Sequence, residues 1–187
     1  MQEKENVLRI LEEALSAIKD EDNIKLKILS NQTIHTASIT QDPDNIAIAV
    51  IIYSLSKIIE RRENYSSKPG WERFYNGVIL GIENSIDALK KRDDIHLKAH
   101  IESLRKRIEG VSGKLSKYIK DVFNKAKINK ASRIYEHGIS MEKTAKLLGI
   151  TMWELASYAG QTGISDIPLG KTMDTKTRIK LAMEFFR

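Results

Sequence analysis

Apolar residues recur at spacings of three and four along almost the whole chain, and only three prolines and ten glycines interrupt them over 187 residues. That spacing follows the 3.6-residue turn of an amphipathic helix, and so few breakers leave little room for the turns of a β-protein. The pattern predicts an all-α fold: an N-terminal helical unit, long basic helices with a heptad seam, and a C-terminal helix-turn-helix.

A first helix over about Lys4 to Lys19 collects Val7, Leu8, Leu11, Leu15 and Ile18 on one face. From Asn23 to Thr40 two readings stay open. IKLKIL alternates like a strand but also suits the start of a short helix, and TIHTASIT is rich in β-branched residues. Asp42 is placed to cap the next helix and Pro43 fits its first position, where the missing N–H has no partner in any case. That helix runs to about Arg62, with Ile46, Ile48, Val50, Ile51, Ile52, Leu55, Ile58 and Ile59 around most of its circumference, which predicts the buried centre of a unit spanning 1–66.

Small polar residues and a Pro-Gly breaker mark Tyr65 to Gly70 as a linker. Beyond it Trp71 to Lys91 reads as an amphipathic helix using Phe74, Val78, Ile79, Ile82, Ile86 and Leu89. Leu97, Leu104, Val111 and Tyr118 then form one seven-residue series, and Ile101, Ile108, Leu115 and Val122 the interleaved one. These are the a and d positions of a coiled-coil seam. Gly110 and Gly113 lie inside it, so the segment 67–125 is either a dimerisation coil or a hairpin folded back at EGVSG.

The charge is uneven. Between Lys90 and Arg133 there are fourteen Lys or Arg against five acids, while the remainder is mildly acidic and the whole carries +6. A concentrated basic segment suits a polyanion, because each phosphate neutralised releases counterions. Cysteine is absent, which excludes disulfides, thiolate nucleophiles and Cys-containing zinc sites. His96 and His100 stand one turn apart, but no third ligand accompanies them at a motif spacing, and no nucleophilic set or glycine-rich phosphate loop occurs. We therefore expect no enzyme, no cofactor and no metal. The acidic amphipathic start is unlike a secretory signal, and the longest apolar run, Ile46 to Tyr53, is far short of the ~20 residues of a membrane span. A cytoplasmic protein is expected.

The unit 126–187 carries the most specific pattern. Gly138-Ile139-Ser140 supplies a turn and a capping hydroxyl, and from Met141 to Gly160 the spacing suits two helices crossing at a steep angle. Ala145 takes the small-residue position at the crossing, Gly149 the turn, and Thr144, Leu148, Ile150, Leu155 and Tyr158 the inward positions, with Thr151 capping the second helix. The second helix offers Thr151, Met152, Trp153, Ser157 and Gln161 to base edges but no basic residue, so phosphate contacts are expected from Lys127, Lys130, Arg133, Lys143 and Lys146. After a loop over Gly163 to Gly170, a final helix from Asp174 or Thr175 ends on Phe185 and Phe186.

The segment KASRIYEHGISMEKTAKLLGITMWELASYAGQTGIS resembles the helix-turn-helix proteins encoded beside PIN-domain nucleases as candidate antitoxins, and archaeal transcriptional regulators of the same type. The resemblance covers about residues 128–163, including Trp153-Glu154 after the turn. It implies DNA binding or pairing with a toxin. The expected function is a dimeric DNA-binding transcriptional regulator. One alternative is an RNA-binding or ribosome-associated factor using the basic helices of 90–133, where Arg105, Lys106, Arg107, Lys114 and Lys117 would meet phosphate. Another is an antitoxin-like interaction module with Trp153, Met152 and Tyr158 as anchors.

Overall fold

The computed structural model describes residues 3–111 and 115–162. Within them the chain forms eight α-helices and one short 3₁₀ turn, with no strand: α1 Lys4–Lys19, α2 Asn23–Thr40, α3 Pro43–Glu60, α4 Trp71–Lys90, α5 Asp94–Glu109, α6 Ser116–Glu136, α7 Met141–Leu148 and α8 Met152–Thr162. The all-α expectation holds. The final helix expected after Asp174, with Phe185 and Phe186, lies outside the described residues, as does Lys114.

The segment left open by its sequence, 23–40, is a continuous helix. Asp22 caps it by accepting from the Lys25 amide at 2.8 Å, and Leu26, Leu29, Thr33, Ile34 and Ala37 are buried at helical spacing. Its hydroxyls are accommodated without strand pairing: Thr33 donates to the Leu29 carbonyl at 2.8 Å, and Ser30 donates across to the Ala49 carbonyl of α3 at 2.7 Å. Burial against α3 outweighs the modest helix propensity of its β-branched residues.

Helix α3 begins as its sequence indicates, with the Asp42 carboxylate accepting from the Asp44 amide at 2.9 Å and Pro43 in the first turn. It closes at Glu60 and passes into the 3₁₀ turn Arg62–Asn64. α3 packs against α1, α2, α5, α6 and α7, which explains why apolar residues cover so much of its circumference. In the turn that follows, Tyr65 is buried between Trp71 and Tyr118, with ring centroids 6.3 and 6.1 Å away.

α4 and α5 lie close together because two glycines one turn apart, Gly77 and Gly81, leave space on α4. A methyl at Gly81 would sit 2.5 Å from Leu104 Cδ2, and one at Gly77 would sit 2.3 Å from the Arg107 guanidinium. The heptad series does not lie on one helix. It is cut at Gly110, so that Leu97, Ile101, Leu104 and Ile108 belong to α5, while Leu115 stands just before α6 and Val122 within it. These six side chains are buried inside the chain, Val111 is partly buried, and Tyr118 is half exposed. The buried apolar residues form one connected cluster from Val7 in α1 to Leu155 in α8.

Candidate nucleic-acid interface

Each step from α6 to α8 has a local cause. Gly138 adopts φ +86°, ending α6 and turning the chain so that Ile139 is buried. Ser140 then caps α7 by accepting from the Lys143 amide at 3.3 Å. Gly149 closes α7 in the left-handed region at φ 61°, ψ 42°, and the Ile150 amide returns to the Ala145 carbonyl at 3.1 Å. A Cβ at Gly149 would touch nothing within 4 Å, so glycine is needed there for its backbone angle and not for space.

The start of α8 is a reciprocal cap. The Glu154 amide donates to Thr151 Oγ1 at 3.1 Å, while the Thr151 amide and hydroxyl donate to the Glu154 carboxylate at 2.8 and 2.7 Å. Those bonds favour the charged carboxylate and hold its pKa below the ordinary glutamate value. Glu154 is therefore occupied by the turn, which accounts for an acid on the outer face of a helix considered for DNA contact.

Thr144, Ala145, Leu148, Leu155 and Ala159 face inward and are buried. Tyr158 is half-buried, its hydroxyl accepting from the Asn129 side-chain amide at 3.1 Å, which ties α8 to α6. The opposite side of α8 is open. Thr151, Ser157 and Gln161 are exposed, Met152 is 53% exposed and Trp153 81%.

The cations divide into several groups. Lys143 and Lys146 are exposed on α7; the Lys143 ammonium donates to the Gln41 side chain at the end of α2. Arg133 is exposed and paired with Glu136 at 3.0 Å. Lys127 is largely covered, lying 5.5 Å from the Phe123 ring centroid and 4.0 Å from Glu109. Lys130 corrects the sequence reading. It is fully buried, donating to Asn31 Oδ1 at 2.8 Å with its ammonium 4.1 Å from the Tyr53 ring centroid, and so it cannot reach a phosphate. Burial, reinforced by the nearby charges of Arg133 and Lys27, lowers its pKa to about 7.

Lys98 of α5 stands 4.0 Å from Asp44 of α3, and the other basic residues of α5 meet their own helix or α4. Arg105 binds Glu102 at 2.9 and 2.7 Å and Glu109 at 3.4 Å, Lys106 stands 3.6 Å from Glu102, and Arg107 lies over Gly77. Lys117 is exposed near the start of α6. His96 Nδ1 lies 2.6 Å from the Asp93 carboxylate, with its ring 6.3 Å from that of His100. Among the described residues no group of three or more His, Cys, Asp or Glu is arranged to hold a metal, and no helix is long and apolar enough to cross a membrane.

Two contacts near this surface had no local signal. His35 of α2 meets His137 at the end of α6 at 3.3 Å, and Gln41 meets Lys143; each pair is separated by 102 residues in sequence. The chain matches no protein-family model, no curated protein and no solved structure.

Proposed function

We propose that this chain is a nucleic-acid-binding regulatory protein in which α7, the Gly149 turn and α8 act as a helix-turn-helix, with α8 entering the major groove of DNA. The observation that carries this reading is the two-sidedness of α8. Leu155 and Ala159 anchor it, while Met152, Trp153, Ser157 and Gln161 are exposed on the other side, with Thr151 exposed at the cap and bonded to Glu154. Hydroxyls and an amide can pair with base edges, and the Met152 side chain suits a thymine methyl. The resemblance of about residues 128–163 to helix-turn-helix regulators supports the same role.

Phosphate contacts then fall to Lys143 and Lys146 on α7 and to Arg133 on α6, with Lys130 removed to the core. Three phosphates neutralised correspond to a slope of about −3 in log affinity against log salt. Selection from a randomised duplex pool, followed by titration of the enriched sequence, tests the proposal. An enriched motif is expected, with Ser157→Ala relaxing preference at one position, and Lys143→Gln weakening all sequences alike and reducing the slope by about 1. A pool that shows no enrichment after selection overturns it.

A second reading is favoured by the exposure of Trp153 beside Met152, since Trp is over-represented at the centres of protein interfaces. There α8 anchors a protein partner, in the manner of an antitoxin. On that reading Trp153→Ala abolishes capture of that partner, and the randomised duplex pool yields no enriched sequence. The RNA reading is less supported, because Arg105 and Lys106, two of its phosphate contacts, face carboxylates of their own helix, whereas Lys143 and Lys146 on α7 pair with no carboxylate among the described residues.

A further inference from the structure

Helices α3, α5, α6 and α7 leave a cleft of about 500 Å³ between them, within the ~300–1,000 Å³ range of small-molecule sites. Its floor is apolar, formed by Ile46 and Val50 of α3, Ile101 of α5, Phe123 of α6 and Leu148 of α7. Its rim carries Lys98, Arg105, Lys127 and Lys146 against two carboxylates, Asp44 and Glu102.

The pairing on that rim is incomplete. Glu102 is taken by Arg105 at 2.7 Å, and Asp44 stands 4.0 Å from Lys98. Lys127 reaches a carboxylate only at 4.0 Å, and Lys146 pairs with none among the described residues. An apolar floor beneath a surplus of positive charge is complementary to a molecule with a hydrocarbon body and one anionic head.

We propose that this cleft binds an amphiphilic carboxylate, its hydrocarbon body on the Ile46–Phe123 floor and its head on Lys146 and Lys127. Resting on the DNA-binding reading above, the site is a regulatory one. One wall consists of Leu147, Leu148 and Gly149, the end of α7 and the start of its turn, while α3 and α5 supply the other. A ligand spanning the two walls engages the unit that presents α8. It also neutralises Lys146, a phosphate contact, so occupancy weakens DNA binding and removes about one unit from the salt slope.

The test uses the full chain and three probes with the same decyl-length chain, decanoate and decyltrimethylammonium below their micelle concentrations and decanol below its solubility limit, followed by calorimetry. Saturable one-to-one binding of decanoate is expected, with decanol at least roughly tenfold weaker and the cation unbound, in keeping with a charge-assisted contact. Lys146→Gln lowers decanoate affinity by about tenfold. Ala47→Phe, at a half-buried lining position, removes binding without changing the thermal midpoint. If that variant unfolds early, Lys146→Gln and Lys127→Gln decide the matter, each weakening decanoate more than decanol. Equal binding of decanoate and decanol, or an unchanged affinity in Lys146→Gln, overturns the proposal.

Two outcomes separate the claims. Lys146-dependent decanoate binding without any enriched duplex upholds the cleft and removes its regulatory role along with the DNA reading. An enriched duplex with no decanoate binding does the reverse.

Discussion

Lys130 is a buried ammonium, and its burial has an energetic consequence. An ammonium moved from water into a protein interior loses solvation that one hydrogen bond to Asn31 and the face of Tyr53 restore only in part. Its pKa falls from the ordinary 10.5 to about 7. Between those values the unfolded chain binds more protons than the folded one, so this residue makes stability rise as pH increases through that window. Below it both states are charged and the full cost is present, on the order of 5 kcal/mol by the size of the shift. Lys130→Met is therefore expected to raise the thermal midpoint, by most at pH 6 and by progressively less toward pH 9. Asn31 is exposed and keeps water as its partner. Unfolding scans at the two pH values check this, and a gain that does not shrink with pH would refute it.

At the scale of helices, Gly77 and Gly81 have the same residue type and opposite expected responses. Replacing glycine by alanine in a helix interior is worth about 1 kcal/mol in favour of the helix where space permits. At Gly81 the added methyl would stand 2.5 and 2.8 Å from Leu104 Cδ2 and Cγ, and Leu104 is buried with nowhere to move. At Gly77 the obstacle is the guanidinium of Arg107, an exposed side chain free to swing away. Gly81→Ala is expected to destabilise by about 1–3 kcal/mol, and Gly77→Ala to be neutral or stabilising; urea titration of the two variants settles the sign of each. Such a difference is invisible in a sequence that offers two glycines four apart. The helices themselves were legible where apolar contrast was strong, as in α1, and where a cap was explicit, as at Asp42, Ser140 and Thr151. α2 was not, because Ile24, Ile28 and Ile39 are exposed on its outer side and blur the contrast between faces. The heptad spacing left a coil and a hairpin open for a related reason: apolar residues repeat identically whether a seam faces a second chain or is folded into two helices of one.

For the molecule as a whole, α6 is shared. It packs against α2, α3 and α5 as well as against α7 and α8, and the connected core runs through it. The described residues are therefore expected to unfold as one cooperative unit. In a Trp153→Phe background the fluorescence of buried Trp71 should change at the urea concentration at which amides of α6 and α7 lose hydrogen-exchange protection. Earlier loss in α7 would show two units. The candidate surface was legible in its inner positions and caps, which depend on neighbours a few residues away. The fate of its cations was not: that Lys130 meets Asn31 and Lys143 meets Gln41 depends on a helix 99 and 102 residues distant. The break at Gly110 has a further consequence. A heptad series consumed within one chain sets no twofold axis, so under the DNA-binding reading proposed above a target met by α8 alone need not read the same on both strands. Such a word has a direction, and a protein bound to it carries its cleft toward one side of the site and not the other.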